Sequence, residues 1–228
     1  MNEIQIVVFT LEIIGIAAFA VSGVLVAVAA ELDLLGGIVL GAITSVGGGV
    51  LRDILLGVLP PAMFTDPRYV AVAVGVSLLT YLVALGMGER FFPRMERLVR
   101  LINLLDAVGL GIFVTVGVDA AIVAGYGENA FLAVFVGTVT GVGGGIMRDQ
   151  LVGRVPMVLQ KRVYILAAVA GAVAYYVLIE LGMLQPAALC LSTLLVVTIR
   201  LLAAHYKWNL PRVRRASPDS AQKPPMNG

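Results

Sequence analysis

Polar and apolar positions in this 228-residue chain do not alternate; they come in blocks. No Asp, Glu, Lys or Arg occurs in residues 34–51, 69–88, 129–147, 163–179 or 181–199, and Glu12 is the one charge in 4–30. A bilayer-spanning helix needs about 20 mostly apolar residues, so each block amounts to one crossing. Residues 103–124, which carry Asp106 and Asp119, make another. The pattern therefore predicts seven spans, approximately 4–29, 34–58, 67–88, 103–124, 129–152, 161–182 and 186–206. Because the runs are continuous and only helices or closed barrels satisfy the backbone in lipid, the fold class is an all-α polytopic membrane protein. A composition 60% hydrophobic and 13% charged agrees.

The basic residues set an orientation. Arg90, Arg94, Arg97 and Arg100 follow span 3, Arg154, Lys161 and Arg162 follow span 5, and Lys207, Arg212, Arg214 and Arg215 follow span 7. Positive loops stay cytoplasmic, which puts the amino terminus outside and the carboxyl terminus inside a bacterial or archaeal cell membrane. The connection "AELDL", inside on this scheme without a positive charge, is the exception. With no Lys or Arg before it and too long an apolar run, the first span is expected to stay in the mature protein rather than act as a cleaved signal. The expected partner of Arg90, Arg94, Arg97 and Arg100 is the anionic lipid of the inner leaflet, not nucleic acid, the plainer reading being solvated positive-inside residues without a specific lipid site. Residues 208–228 are polar and Pro-rich and read as a disordered cytoplasmic tail. Cys190 is alone, so no disulfide or thiolate metal site is expected; it reads as a small packing residue.

A repeat reorganises the picture. "GGGVLRDILLG" at 47–57 returns as "GGGIMRDQLVG" at 143–153, and upstream "EIIGIAAFAVSG" lies over "DAVGLGIFVTVG", pairing Glu12 with Asp106. The chain divides into a three-helix unit at 1–90, a second at 101–183 and a seventh helix at 184–207. Three is odd, so the second unit enters the membrane from the opposite side. Inverted repeats of this kind place their pathway near the midplane, where broken helices meet.

Three glycines in a helix interior weaken it by about 2–3 kcal/mol, so a break or a very close approach is expected at Gly47, Gly48, Gly49 and at Gly143, Gly144, Gly145. A break frees carbonyls that can coordinate a cation; the alternative is tight packing of spans 2 and 5. Arg52 with Asp53 and Arg148 with Asp149 fall at membrane depth, where ionisable groups mark function. Neighbours on a helix point apart, so symmetry suggests that Arg52 meets Asp149 while Arg148 meets Asp53; otherwise both pairs snorkel to opposite interfaces. Glu12 and Asp106 complement helix amino termini or attract ions at a pore mouth. Ser22, Thr44, Ser45, Thr115, Thr138 and Thr140 line the path or bond back to their own helices. His205 reads as interfacial. No metal-ligand spacing, cofactor fingerprint or activated nucleophile appears, so neither a cofactor nor enzymatic activity is expected.

Two copies of GGGxxRD, at Gly47–Asp53 and Gly143–Asp149, in seven spans built as three plus three plus one, resemble the prokaryotic TRIC (trimeric intracellular cation) channels. That family overlaps a bacterial glycine-transporter-like group. The resemblance covers residues 5–206. It implies a homotrimer whose subunits each hold a pore, kinked at the triads of spans 2 and 5 and passing monovalent cations such as potassium. The alternative is a secondary transporter for a small solute such as glycine; an occluded scaffold is a third reading. A proton-coupled transporter would bury a titratable carboxylate near the midplane. Only Asp53 and Asp149 qualify, each beside an Arg, which favours the channel.

Overall fold

The computed structural model describes residues 3–88, 95–160, 163–206 and Trp208. Seven helices are long and apolar enough to cross a membrane. They are α1 (Glu3–Ala29), α2 (Leu34–Leu55), α4 (Pro67–Met87), α5 (Met95–Ala121), α6 (Ala130–Leu151), α8 (Val163–Glu180) and α9 (Gln185–His205). Two one-turn helices, α3 (Ala62–Thr65) and α7 (Met157–Gln160), follow α2 and α6. A π-helical turn, Ile122–Tyr126, extends α5 until Gly125 leaves helical geometry at φ 92°.

The repeat is visible in local stereochemistry. The side chain of Asp33 accepts from the Gly36 amide at 2.7 Å and starts α2; Asn129, 96 positions on, accepts from Leu132 at 3.0 Å and starts α6. Such a cap satisfies an amide that a helix start leaves orphaned. Just past each helix, Gly57 and Gly153 take the left-handed conformation, φ 71° and 69°. Glycine carries no steric cost there, and the chain turns back into α3 or α7.

The packing repeats as well. Helix α1 lies against α2 and α4 as α5 lies against α6 and α8; α1 meets α5, α2 meets α6, and α9 rests on α5 and α8. The first helix of each unit forms the centre of the bundle, with Phe19, Val24, Leu110, Val114 and Val118 fully enclosed. Span 4 is 72% buried, whereas span 3 is 17% buried and presents most of its surface outward.

Several expectations change. Helix α5 starts at Met95, so Arg97 and Arg100 ride on its opening turns rather than in a connection, with Arg100 exposed. Arg90, Arg94, Lys161, Arg162, Lys207 and the tail from 209 onward lie outside the described residues. Cys190 is exposed, not packed. The buried stripe of α9 runs through Ala188, Leu189, Ser192, Val196, Arg200 and Ala203, and Cys190 falls off it. His205 is exposed near the end of α9, edge-on to Tyr206.

Candidate functional site

Neither triad breaks its helix. Both α2 and α6 run as continuous helices through 47–49 and 143–145. What the glycines allow is contact between backbones. A Cβ at Gly48 would overlap the carbonyl oxygen of Thr140, and one at Gly144 would overlap that of Thr44. A methyl at Gly143 would stand 3.4 Å from the Gly48 Cα. Small residues make such crossings possible in membranes, and Cα–H groups facing carbonyl oxygens contribute to them. The helical cost of the triads is thereby offset by packing.

The expected cross-pairing of the charges does not occur either. Arg52 Nε donates to its own neighbour Asp53 at 2.8 Å, and Nη1 donates to Glu12 at 3.0 Å. Arg148 Nε likewise donates to Asp149 at 2.9 Å and Nη1 to Asp106 at 2.8 Å. The guanidinium is long enough to fold back across its helix, so spacing that keeps short side chains apart does not keep these apart. Both groups are buried at these positions, with Arg52 8% and Arg148 1% exposed, so the snorkelling alternative fails too.

Each aspartate also ties down the turn that follows. Asp53 Oδ2 accepts from the Ala62 amide and Asp149 Oδ2 from the Met157 amide, both at 2.8 Å. These amides open α3 and α7. One carboxylate thus joins a helix end, a guanidinium and a returning segment. A buried charge is tolerated when hydrogen bonds and a counter-charge satisfy it in this way.

Glu12 and Asp106 therefore do not cap helix starts: they sit well inside α1 and α5 and serve as the second carboxylate of each cluster. Tyr69 donates to Glu12 Oε2 at 2.7 Å. Tyr164, 95 positions on, is also buried, and Arg200 from α9 stacks on its ring at 4.1 Å. Arg200 Nη2 faces Asp106 Oδ2 at 3.8 Å. Sequence reasoning missed Tyr69, Tyr164 and Arg200. The tyrosines fall one position short of the motif's offset of 96, and an arginine next to the charge-free run 181–199 was a signal of the same kind as Arg52.

The hydroxyls divide. Thr44 donates to Leu40 O at 2.6 Å, Ser45 to Ala42 O at 2.9 Å, Thr138 to Val134 O at 2.8 Å and Thr140 to Val136 O at 2.6 Å. Thr115 donates within its own helix or to Thr193. Ser22 instead accepts from Arg148 Nη1 at 2.8 Å, linking α1 of one unit to the cluster of the other. Away from both clusters, Asp119 accepts from Tyr175 at 2.6 Å and from Gln185 at 2.5 Å, fastening α5 to α8 and α9.

A double-mutant cycle measures this wiring. Coupling between Arg52→Met and Glu12→Gln is expected at about 0.5–3 kcal/mol, as for residues in one network, whereas Arg52→Met and Asp149→Asn should add within about 0.5 kcal/mol. Unfolding in detergent reads both, and coupling to Asp149 would restore the cross-pair.

A family model described as "Glycine transporter" matches the chain twice, at residues 9–84 and 103–180. The UPF0126 inner membrane protein YadS of Escherichia coli (strain K12) is 38% identical over 208 residues, 90% of this chain and 95% of the relative. A UPF0126 membrane protein of Deinococcus radiodurans is 41% identical over 187 residues, 78% of this chain and 82% of that one. Among solved structures, a prokaryotic TRIC channel crystallised in 0.5 M KCl superposes with a TM-score of 0.81 at 34% identity, covering 90% of this chain and all of that one. The TRIC trimeric intracellular cation channel orthologue from Rhodobacter sphaeroides gives 0.79 at 34% identity, covering 89% and 99%. A further structure, described as the basis for conductance through TRIC cation channels, gives 0.77 at 35% identity, covering 91% and 98%.

Proposed function

Since the chain belongs to the family of TRIC channels and UPF0126 membrane proteins, we propose that it is a channel for monovalent cations of the potassium type, with one pathway in each subunit. The observation that carries this reading is the likeness to cation-channel structures at 34–35% identity over about nine-tenths of the chain. The pathway runs past the glycine crossing of α2 and α6. In the arrangement described, the backbones of α2 and α6 touch at that crossing. Parting the two helices would turn the carbonyls of Thr44 and Thr140 toward the opening, where they replace part of an ion's hydration shell.

The chain works as two inverted three-helix units and a seventh helix, assembled as a homotrimer, with the amino terminus outside and the carboxyl terminus in the cytoplasm of a prokaryotic cell membrane. Arg90, Arg94, Arg97 and Arg100 meet anionic lipid on the cytoplasmic side. Catalysis is no part of this role, and no cofactor is required.

The description of the matching family model favours a second reading, a transporter for glycine. Flux separates the two. Proteoliposomes holding the purified chain should take up rubidium down its gradient, without a proton or sodium gradient and without saturating in the micromolar range. Saturable glycine uptake with no rubidium entry would replace the channel with the transporter.

A further inference from the structure

One helix end departs from a pattern that three others keep. Helix α1 closes with the Glu31 amide donating to Val28 O at 3.1 Å and the Leu32 amide to Ala27 O at 3.0 Å, a turn that holds one residue in the left-handed conformation. The same turn ends α2, α6 and α8, where glycine takes that position each time, as Gly57, Gly153 and Gly182. At the end of α1 the position belongs to Glu31, φ 59°, the one non-glycine residue at positive φ among the described residues. Glycine would sit there without steric cost, so a carboxylate is kept where the backbone disfavours it.

Glu31 rims a groove of about 360 Å³ between the ends of α1 and α4. Val28, Leu32, Ala84 and Leu85 give it apolar walls, and Tyr81 of α4 donates to Leu32 O at 3.0 Å. Among the described residues no Lys or Arg stands within 4 Å of the Glu31 carboxylate. Arg154 reaches this helix end, yet its Nη2 donates to Ala29 O at 3.4 Å. The groove therefore offers an apolar floor and one free negative charge, on a connection without any Lys or Arg.

We propose that the chain's own segment 209–216 docks in this groove, with Leu210 and Val213 on its apolar walls and the arginines against Glu31. The chemistry is complementary: the segment reads "NLPRVRRA", with Arg212, Arg214 and Arg215 and no acidic residue. The geometry allows it. Odd-numbered crossings finish on one side, so the ends of α1, α4 and α9 share a face. Helix α9 touches α1 and α1 touches α4, which makes two steps of about 8–10 Å between neighbouring axes. The seven residues from Trp208 to Arg215 reach about 23–25 Å when extended, enough for both steps. Docked there, the segment straps α9, which packs on α5 and α8 of the second unit, to the first unit. This contact rests on charge and apolar fit, so it stands whichever solute the protein passes.

Disulfide trapping in the full-length chain tests the strap. In a Cys190→Ser background, Leu85→Cys on the groove wall is paired with Val213→Cys, and the control pairs Leu159→Cys on α7, on the same face, with Val213→Cys. Leu85 and Leu159 are both 66% exposed, so access alone does not favour either. Oxidation by copper phenanthroline in detergent should close the wall pair roughly tenfold faster, because docking raises the local concentration of the second thiol. Adding Glu31→Gly, which preserves the turn and removes the carboxylate, should slow closure several-fold, and so should salt at about 1 M. Equal rates for the two pairs, or a rate indifferent to both Glu31→Gly and salt, would overturn the proposal. Disulfides that join two chains would also overturn it, by putting a neighbouring copy's segment in the groove. So would loss of closure in vesicles of anionic lipid, which would assign the arginines to lipid instead.

Discussion

Arg148→Met is expected to destabilise the folded chain by about 3–5 kcal/mol, the usual effect of removing one partner from a buried ion pair. Arg148 is 1% exposed and holds Asp106, Asp149 and Ser22 together from three helices. Without it, two carboxylates stay buried, with Arg200 3.8 Å from one oxygen of Asp106 and the Met157 amide on Asp149. Arg52→Met should cost clearly less, because Glu12 and Asp53 border a cavity that water can enter. Thermal unfolding of the two variants in detergent checks the order, and an equal or reversed effect would contradict it.

The second large effect is at the glycine crossing. Gly48→Ala gains about 0.8–1 kcal/mol of intrinsic helix propensity, yet its methyl would overlap the Thr140 carbonyl, a backbone atom that cannot rotate away. Overpacking of this kind costs about 1–3 kcal/mol, occasionally more, so net destabilisation is expected, with a further loss for Gly48→Leu. The three positions of this triad should respond differently. At Gly47 the obstacle is the Met147 sulfur at 2.6 Å, the far end of a flexible side chain, and Gly47→Ala should be mild. Gly49→Ala meets nothing within 4 Å and should be neutral or stabilising. Expression yield and melting temperature across the three variants give the pattern, and a uniform response would mean that the middle glycine is not where the helices touch.

The spans were legible because apolar blocks of bilayer length leave little choice of structure in lipid. The duplicated GGGxxRD motif pointed to the family. What escaped was side-chain wiring between helices. Nothing local says that Arg52 finds Glu12 on α1 rather than Asp149 on α6, since only the packing of the helices decides which carboxylate the guanidinium reaches. The i, i+1 rule failed for Arg52 and Arg148 because it describes where side chains leave the helix, not where a long guanidinium ends. Helix propensity argued for breaks at 47–49 and 143–145; close contact between α2 and α6 overrode it. Arg200 was overlooked because it belongs to no repeat, although it reaches Asp106 in the second cluster.

Conduction through a single chain type is the central claim, and the reversal potential of unitary currents tests it most directly. Purified protein in a planar bilayer with a tenfold potassium chloride gradient should give discrete currents that reverse near the potassium equilibrium potential, and Gly48→Leu protein of matched incorporation should give none. Currents reversing at the chloride potential, or a bilayer that stays silent while the same preparation accumulates glycine saturably, would contradict it.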